Sequence, residues 1–331
     1  MGFRFFNHME RTRRAVIDVG TNSVKLLVAD VAGSCIEPVW EESRQTRLGR
    51  GLYRTHRLQP EAIAAAAKAV SDFAGEARRR QAGSVRIIAT SAARDALNAG
   101  DLTRAIEKGC GLDVQILSGE QEAAWGFQGV TTDPWLAERP LLLLDVGGGS
   151  TEFILGCRGQ KHFSQSVALG TVRLLETLPP SDPPRPEELS ACRNWIREFL
   201  EKEVRPQLEA PLQREAGDRS ASGRFELVGT GGTATILACM ERQLETFDRA
   251  RIEGARLELR RMSWHLEHLW GLSLEKRQEV PGLPKNRADV ILMGVAIFAG
   301  IMEQFGCPVL RISTRGLRFA ALMHAPSAAL G

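Results

Sequence analysis

Leu141-Leu142-Leu143-Leu144-Asp145-Val146-Gly147-Gly148-Gly149-Ser150-Thr151-Glu152-Phe153-Ile154-Leu155 is an apolar run that ends on an acid. Three glycines and two hydroxyls follow, and then a second strand pattern begins. Consecutive glycines let the backbone turn tightly and bring its N–H groups close to a ligand without Cβ interference. With the Ser150 and Thr151 hydroxyls beside them, amides in such a turn form a cradle for phosphate. Asp145, at the strand end, is placed to hold a divalent cation through oxygen. The competing reading of the same residues is a glycine-rich hairpin turn that binds nothing.

A second copy of the pattern lies 127 positions earlier. Asp18-Val19-Gly20-Thr21-Asn22-Ser23-Val24-Lys25 aligns with Asp145-Val146-Gly147-Gly148-Gly149-Ser150-Thr151-Glu152. Acid falls on acid, Gly20 on Gly147 and Ser23 on Ser150, each copy flanked by strand patterns. Two strand–turn–strand units a domain's length apart predict two homologous halves. Two phosphate turns facing across a cleft is the arrangement of actin-like and sugar-kinase-like folds. The expected fold class is therefore α/β, with two actin-like (ASKHA, ribonuclease H-like) domains of mixed sheet flanked by helices. The active site is expected in the interdomain cleft. The expected domains are 1–130 and 131–316, with a last helix at about 317–331 packing back onto the first.

The bulk numbers fit that plan. A chain of 331 residues is long enough for two cores. A formal net charge of +3, from 43 basic and 40 acidic residues, gives no global basicity of the kind that attracts nucleic acid. Six dispersed cysteines without a C-x-x-C pair favour reduced thiols and a cytoplasmic setting over disulfides or zinc. No segment reaches the ~18 apolar residues of a membrane span, so no membrane partner is expected. Met9, which leads directly into the first strand, is a candidate native start.

Taken in order, Ala15–Val19 and Val24–Val31 read as a hairpin, with a third strand near Cys35–Glu41. From Ser43 to Pro60 the chain has no acid and carries Arg44, Arg47, Arg50, Arg54 and Arg57. That stretch is either a solvated loop or an electropositive wall in which Arg47, Arg50 and Arg54 steer a polyanion. A helix begins at Pro60 and ends near Arg80. Val85–Ala89 is a buried strand, Thr90-Ser91 an N-cap for a helix carrying Arg94, and Asp113–Leu117 another strand. Ser118-Gly119-Glu120-Gln121-Glu122 opens a further helix, where carboxylates are favoured by the dipole alone. Trp135–Pro140 is a candidate hinge.

The second half then repeats the plan. Lys161–Val167 is its third strand, a long helix runs roughly from Glu187 to Leu208, and Glu215–Gly223 is polar and mobile in expectation. Phe225–Thr235 reads as strand, Gly/Thr turn and helix start, so Gly231, Gly232 and Thr233 are a third candidate phosphate contact. A helix spans Arg287–Phe305, a strand Pro308–Ser313 and a last helix Leu317–Met323. Trp264, His265, His268 and Trp270 suit a helix packing face; no acid completes a metal-ligand set around these histidines.

Six motifs now stand in order: Asp18-Val-Gly-Thr-Asn-Ser23, Thr90-Ser-Ala-Ala-Arg94, Ser118-Gly-Glu-Gln-Glu122, Asp145-Val-Gly-Gly-Gly-Ser-Thr-Glu152, Gly229-Thr-Gly-Gly-Thr233 and Ser313-Thr-Arg-Gly-Leu-Arg318. Together they resemble the exopolyphosphatase/guanosine pentaphosphate phosphohydrolase (Ppx/GppA) family, in its short two-domain form, over nearly the whole chain. The resemblance implies hydrolysis of a terminal phosphate from polyphosphate or guanosine pentaphosphate with Mg²⁺ (or Mn²⁺). It implies Glu122 as catalytic base, Asp145 and Glu152 as further catalytic acids, and Asp18, Asp145 and Glu152 as metal ligands. Asn22, Ser23, Arg94, Gly147, Gly148, Ser150 and Thr151 would hold substrate phosphate, and a homodimer would be expected. Phe319-Ala320 departs from the family pattern in the last helix. Lys25, at the repeat position of Glu152, either pairs with that acid or touches phosphate. Two other readings stay open: a kinase of the same fold, and a catalytically silent (p)ppGpp sensor.

Overall fold

The computed structural model describes residues 11–216 and 225–324. The candidate start at Met9 and most of the Glu215–Gly223 segment lie outside the described residues. The chain builds two mixed sheets, and the hairpins anticipated in each half are their centres. In the first sheet, β1 (Thr12–Val19) and β2 (Ser23–Ala32) are antiparallel, and Asp18 faces Lys25 across the pair. β3 (Cys35–Gln45), β4 (Ser84–Ala89) and β5 (Val114–Ile116) complete the order β3-β2-β1-β4-β5. In the second sheet, β6 (Leu141–Val146) pairs antiparallel with β7 (Thr151–Cys157), and Asp145 faces Glu152. With β8 (Gln160–Val167), β9 (Glu226–Thr230), β10 (Arg256–Glu258) and β11 (Val309–Ile312), the order is β10-β11-β9-β6-β7-β8. Without the short edge strand β10, the two sheets share one topology. The repeat in the sequence is a repeat in the fold.

The runs that predict buried strands are buried. Leu141, Leu142, Leu143 and Leu144 are fully covered on both faces of β6, as expected for a central strand with helices on both sides. Burying each such side chain contributes about 1.5–3 kcal/mol.

Two helices place the site. Gly119–Val130 starts on a capping box: Ser118 Oγ accepts from the Gln121 amide at 3.1 Å, and Gln121 Oε1 accepts from the Ser118 amide at 3.0 Å. A cap of this kind is worth about 1 kcal/mol. Ala123, Phe127 and Val130 of this helix pack on Leu141, Leu143 and Ile154 of the second sheet. Conversely, Leu317, Phe319 and Leu322 of the helix Leu317–Met323 join Val16, Leu27 and Ile88 of the first sheet. Each half thus covers one face of the other's sheet. Where the two helices cross, a Cβ on Gly129 would collide with the Gly316 carbonyl, so that glycine is required by close approach.

Several expected elements differ in detail. The predicted helix Glu187–Leu208 is Pro186–Phe199, then a π-helical segment Leu200–Val204, then Arg205–Ala216. Thr90 occupies the N-cap position of Ser91–Asp95, but its side chain makes no capping bond. The short helix Leu52–Thr55 lies within the arginine-rich stretch, and a further short helix spans Thr171–Thr177.

Candidate active site

A cavity of roughly 440 Å³ lies where the two hairpins meet. Its wall includes Asp18, Asn22, Ser23 and Lys25 from the first hairpin, and Asp145, Gly147, Gly148, Gly149 and Ser150 from the second. Glu122, Gly231, Gly232, Thr233, Arg287 and Arg318 close it. The two turns are built alike: Gly20 N–H donates to Ser23 O at 3.1 Å, and Gly147 N–H donates to Ser150 O at 2.9 Å. They also touch. A Cβ on Gly148 would stand 2.7 Å from Thr21 Cβ, so the second turn needs glycine there to lie against the first.

The second turn presents amides. Its carbonyls are taken up by the helix Thr171–Thr177: Gly147 O accepts from Thr171 N–H at 3.0 Å and Gly148 O from Val172 N–H at 2.8 Å. Gly149 O accepts from Arg173 Nε at 2.8 Å. Among the described residues the Gly148 and Gly149 amides donate to no backbone carbonyl. The first turn presents side chains. Asp18 Oδ1, Asn22 Nδ2 and Ser23 Oγ are buried, and none has a hydrogen-bond partner. Buried polar atoms are nearly always paired, so three orphans in one turn point to a polar ligand that completes them.

The acids divide into two sets. Asp18 and Asp145 both line the cavity; the Asp18 charge raises the proton affinity of Asp145, and the Lys25 ammonium acts against protonation of both. Burial pushes Asp145 up to about 6, pushes Asp18 up, and depresses Lys25. A Cβ on Gly231, whose φ is +83°, would run into Asp145 Oδ1, so the carboxylate rests against the start of the helix Gly231–Glu241. Glu122 and Glu152 form the second set. Glu122 is 9% exposed and accepts from Arg94 Nη1 at 3.0 Å. Burial and then the Glu152 charge hold its carboxyl well above the usual range, against the pull of Arg94. Glu152 is 1% exposed and accepts from Ser150 Oγ and Ser166 Oγ, each at 2.8 Å; burial and then Asp145 push it up to about 7.

Of the residues anticipated from sequence, Asp18, Asn22, Ser23, Glu122, Asp145, Gly147, Gly148, Ser150, Gly231, Gly232 and Thr233 line the one cavity. Four do so differently from expectation or not at all. The Thr233 hydroxyl is committed to Val146 O at 2.9 Å, and the Thr151 hydroxyl to Leu169 O. Arg94 holds Glu122 and the Leu117 carbonyl and does not line the cavity. Glu152 sits behind the cavity, because the helix Gly119–Val130 covers β7 and β8 there. Arg47, Arg50 and Arg54 line a separate cavity.

Two cavity cations had no assigned role in the sequence. Arg287, depressed to about 10 by burial, approaches the same Gly232 position as Lys25 Nζ. Arg318 is likewise depressed by burial and pairs with Glu41 at 3.4 Å. A signal existed for Arg287: it is a cation just ahead of the apolar helix Ile291–Gln304, where the helix dipole disfavours positive charge.

Among the described residues no three His, Cys, Asp or Glu side chains converge on one metal position. The donors that do converge are the Asp18 and Asp145 carboxylates, one with a buried, unpartnered oxygen. Two carboxylates, with water and phosphate oxygens for the rest, is how Mg²⁺ is usually held. The residues fit that ion, with Glu152 outside the donor set.

A family model described as the Ppx/GppA phosphatase family matches residues 26–324. Exopolyphosphatase 2 of Mycobacterium tuberculosis is 34% identical over 300 residues, covering 87% of this chain and 89% of that protein. The crystal structure of an exopolyphosphatase-like protein superposes with a TM-score of 0.84 at 25% identity, covering 95% of this chain and 97% of that one. The Aquifex aeolicus member of the Ppx/GppA family gives a TM-score of 0.73 at 27% identity, with coverage of 95% and 97%.

Proposed function

The chain belongs to the Ppx/GppA phosphatase family, and from that premise we propose that it removes terminal phosphate from inorganic polyphosphate by water attack. The observation that carries this reading is the pair of unlike turns: unpartnered Asp18, Asn22 and Ser23 atoms opposite the Gly148 and Gly149 amides, with a buried glutamate alongside.

Phosphoanhydride hydrolysis needs positioning, charge neutralisation and an oriented water. In this reading the terminal phosphoryl oxygens accept from the Gly148 and Gly149 amides, Asn22 Nδ2 and Ser23 Oγ. Preorganised donors of that kind are worth ~10²–10³-fold each. Lys25 and Arg287 balance the charge of the phosphates. Glu122, held by Arg94, orients a water in line with the bond to be broken and takes its proton as the water oxygen joins phosphorus. The bridging oxygen leaves with the chain, which is one phosphate shorter. A divalent cation on Asp18 and Asp145 would supply Lewis-acid neutralisation of the phosphoryl oxygens. Glu152 tunes: its charge behind Glu122 adds to burial in raising the proton affinity of that base.

Phosphate release from long-chain polyphosphate and from guanosine pentaphosphate, each with Mg²⁺ and no acceptor, tests the reading. Turnover of polyphosphate at the higher kcat/KM is expected. Phosphate transfer only when an alcohol or carboxylate acceptor is added would replace it with a kinase.

A further inference from the structure

A second cavity, of roughly 590 Å³, is formed by residues 46–62. Arg47, Arg50 and Arg54 line it, and Glu61 is the single acid among its lining residues. The frame that carries the arginines is fixed. Leu48, Leu52 and Leu58, interspersed with them, are at most 2% exposed in the first core. The turn closes on itself through Arg50 N–H to Arg47 O at 2.9 Å and Thr55 N–H to Gly51 O at 3.1 Å. Arg47 Nη2 lies 3.0 Å from Asp289 Oδ2. Among the described residues Arg50 and Arg54 have no carboxylate partner. Clustered like charges repel one another, so two unpaired guanidiniums held around one hollow match an anionic ligand.

The frame is also bonded to the site described above. The Thr46 and Arg47 amides donate to Asn22 O at 3.1 and 3.0 Å, and the Gly49 amide donates to Thr21 O at 2.7 Å. Ser43 lines the first cavity and Thr46 the second. Three residues of extended chain span roughly 10 Å, a distance that a chain of several phosphates crosses.

We propose that the arginine cavity is a subsite for the body of a polyphosphate chain whose terminal phosphate lies between the two glycine turns. This rests on the polyphosphate reading and specifies its substrate as chains long enough to reach both cavities. The planar guanidinium fork matches pairs of phosphate oxygens in a way that an ammonium does not. A free oligophosphate offers the same chemistry and is separated by experiment.

The test compares the wild-type protein with the exposed-residue variant R50Q/R54Q on long-chain polyphosphate and on inorganic triphosphate. For the long chain, KM is expected to rise about tenfold, as loss of two charge-assisted surface contacts implies, with kcat within about twofold. The triphosphate KM should move less than about twofold. The long-chain KM should also become less steeply dependent on salt, because fewer phosphate contacts release fewer counterions. Equal changes on both substrates, or no change on either, would overturn the subsite. If instead added triphosphate alters long-chain turnover in the wild type but not in the variant, with long-chain KM equal in both, the cavity serves a free oligophosphate and the chain subsite is wrong. Calorimetric binding of long-chain polyphosphate keeps the test independent of catalysis. Absent turnover with tenfold weaker binding by R50Q/R54Q would refute the hydrolase reading and support the subsite; equal binding would refute the subsite.

Discussion

The two glycine hairpins are copies that do different work. Both close through the same amide-to-carbonyl bond, Gly20 to Ser23 and Gly147 to Ser150. Both set an acid opposite the residue seven positions on, Asp18 against Lys25 and Asp145 against Glu152. The difference lies in that partner and in what covers it. Lys25 opens into the cavity and offsets the charge of Asp18. Glu152 lies under the helix Gly119–Val130 and adds negative charge next to Glu122. One copy neutralises, and the other raises the proton affinity of a neighbouring acid. The duplicated hairpins differ at this position by one charge reversal, Lys25 against Glu152.

Breaking the second half of that comparison has the largest expected effect. Glu122→Gln should lower kcat at least ~10²-fold, the usual contribution of a positioned base. Polyphosphate binding, measured by calorimetry on the same variant, should be nearly unchanged; retained turnover would remove Glu122 from the base role. Gly148→Ala tests the contact between the copies. Its Cβ would stand 2.7 Å from Thr21 Cβ, and overpacking of that kind costs about 1–3 kcal/mol. We expect a lower Tm together with a higher KM, read by thermal unfolding and steady-state phosphate release.

Glu152→Gln sharpens the comparison through stability. Glu152 has a folded-state pKa of about 7 against an ordinary 4.5. The native state therefore binds more protons than the unfolded chain between those values, and wild-type stability falls as pH rises through that window. The variant should escape this loss, gaining on the order of 1–3 kcal/mol relative to wild type between pH 4.5 and 8 in denaturant titrations.

The comparison also separates what the sequence reveals from what it hides. Strand alternation and the 127-residue offset make both hairpins readable, because period-two patterning and glycine turns are local signals. That Lys25 and Glu152 stand at one repeat position is readable too. Which of them reaches the cavity is not, since it depends on a helix from one half lying on the sheet of the other. The same holds for Arg94, whose guanidinium serves Glu122 (28 residues away), and for Arg47, tied to Asp289. Arg287 enters the cavity for the same reason: long-range packing places it there, and no local period encodes that. The π-helical break at Leu200–Val204 interrupts a pattern that otherwise reads as one helix.

The central claim is that Glu152, the charge-reversed partner in the second hairpin, adds to burial in raising the proton affinity of Glu122, the proposed water-activating base. The dependence of kcat/KM on pH for polyphosphate, in wild type and in Glu152→Gln, measures this directly. The account predicts a wild-type acid limb well above the ordinary glutamate range, and a limb at lower pH in the variant. Coincident limbs in the two proteins would contradict it.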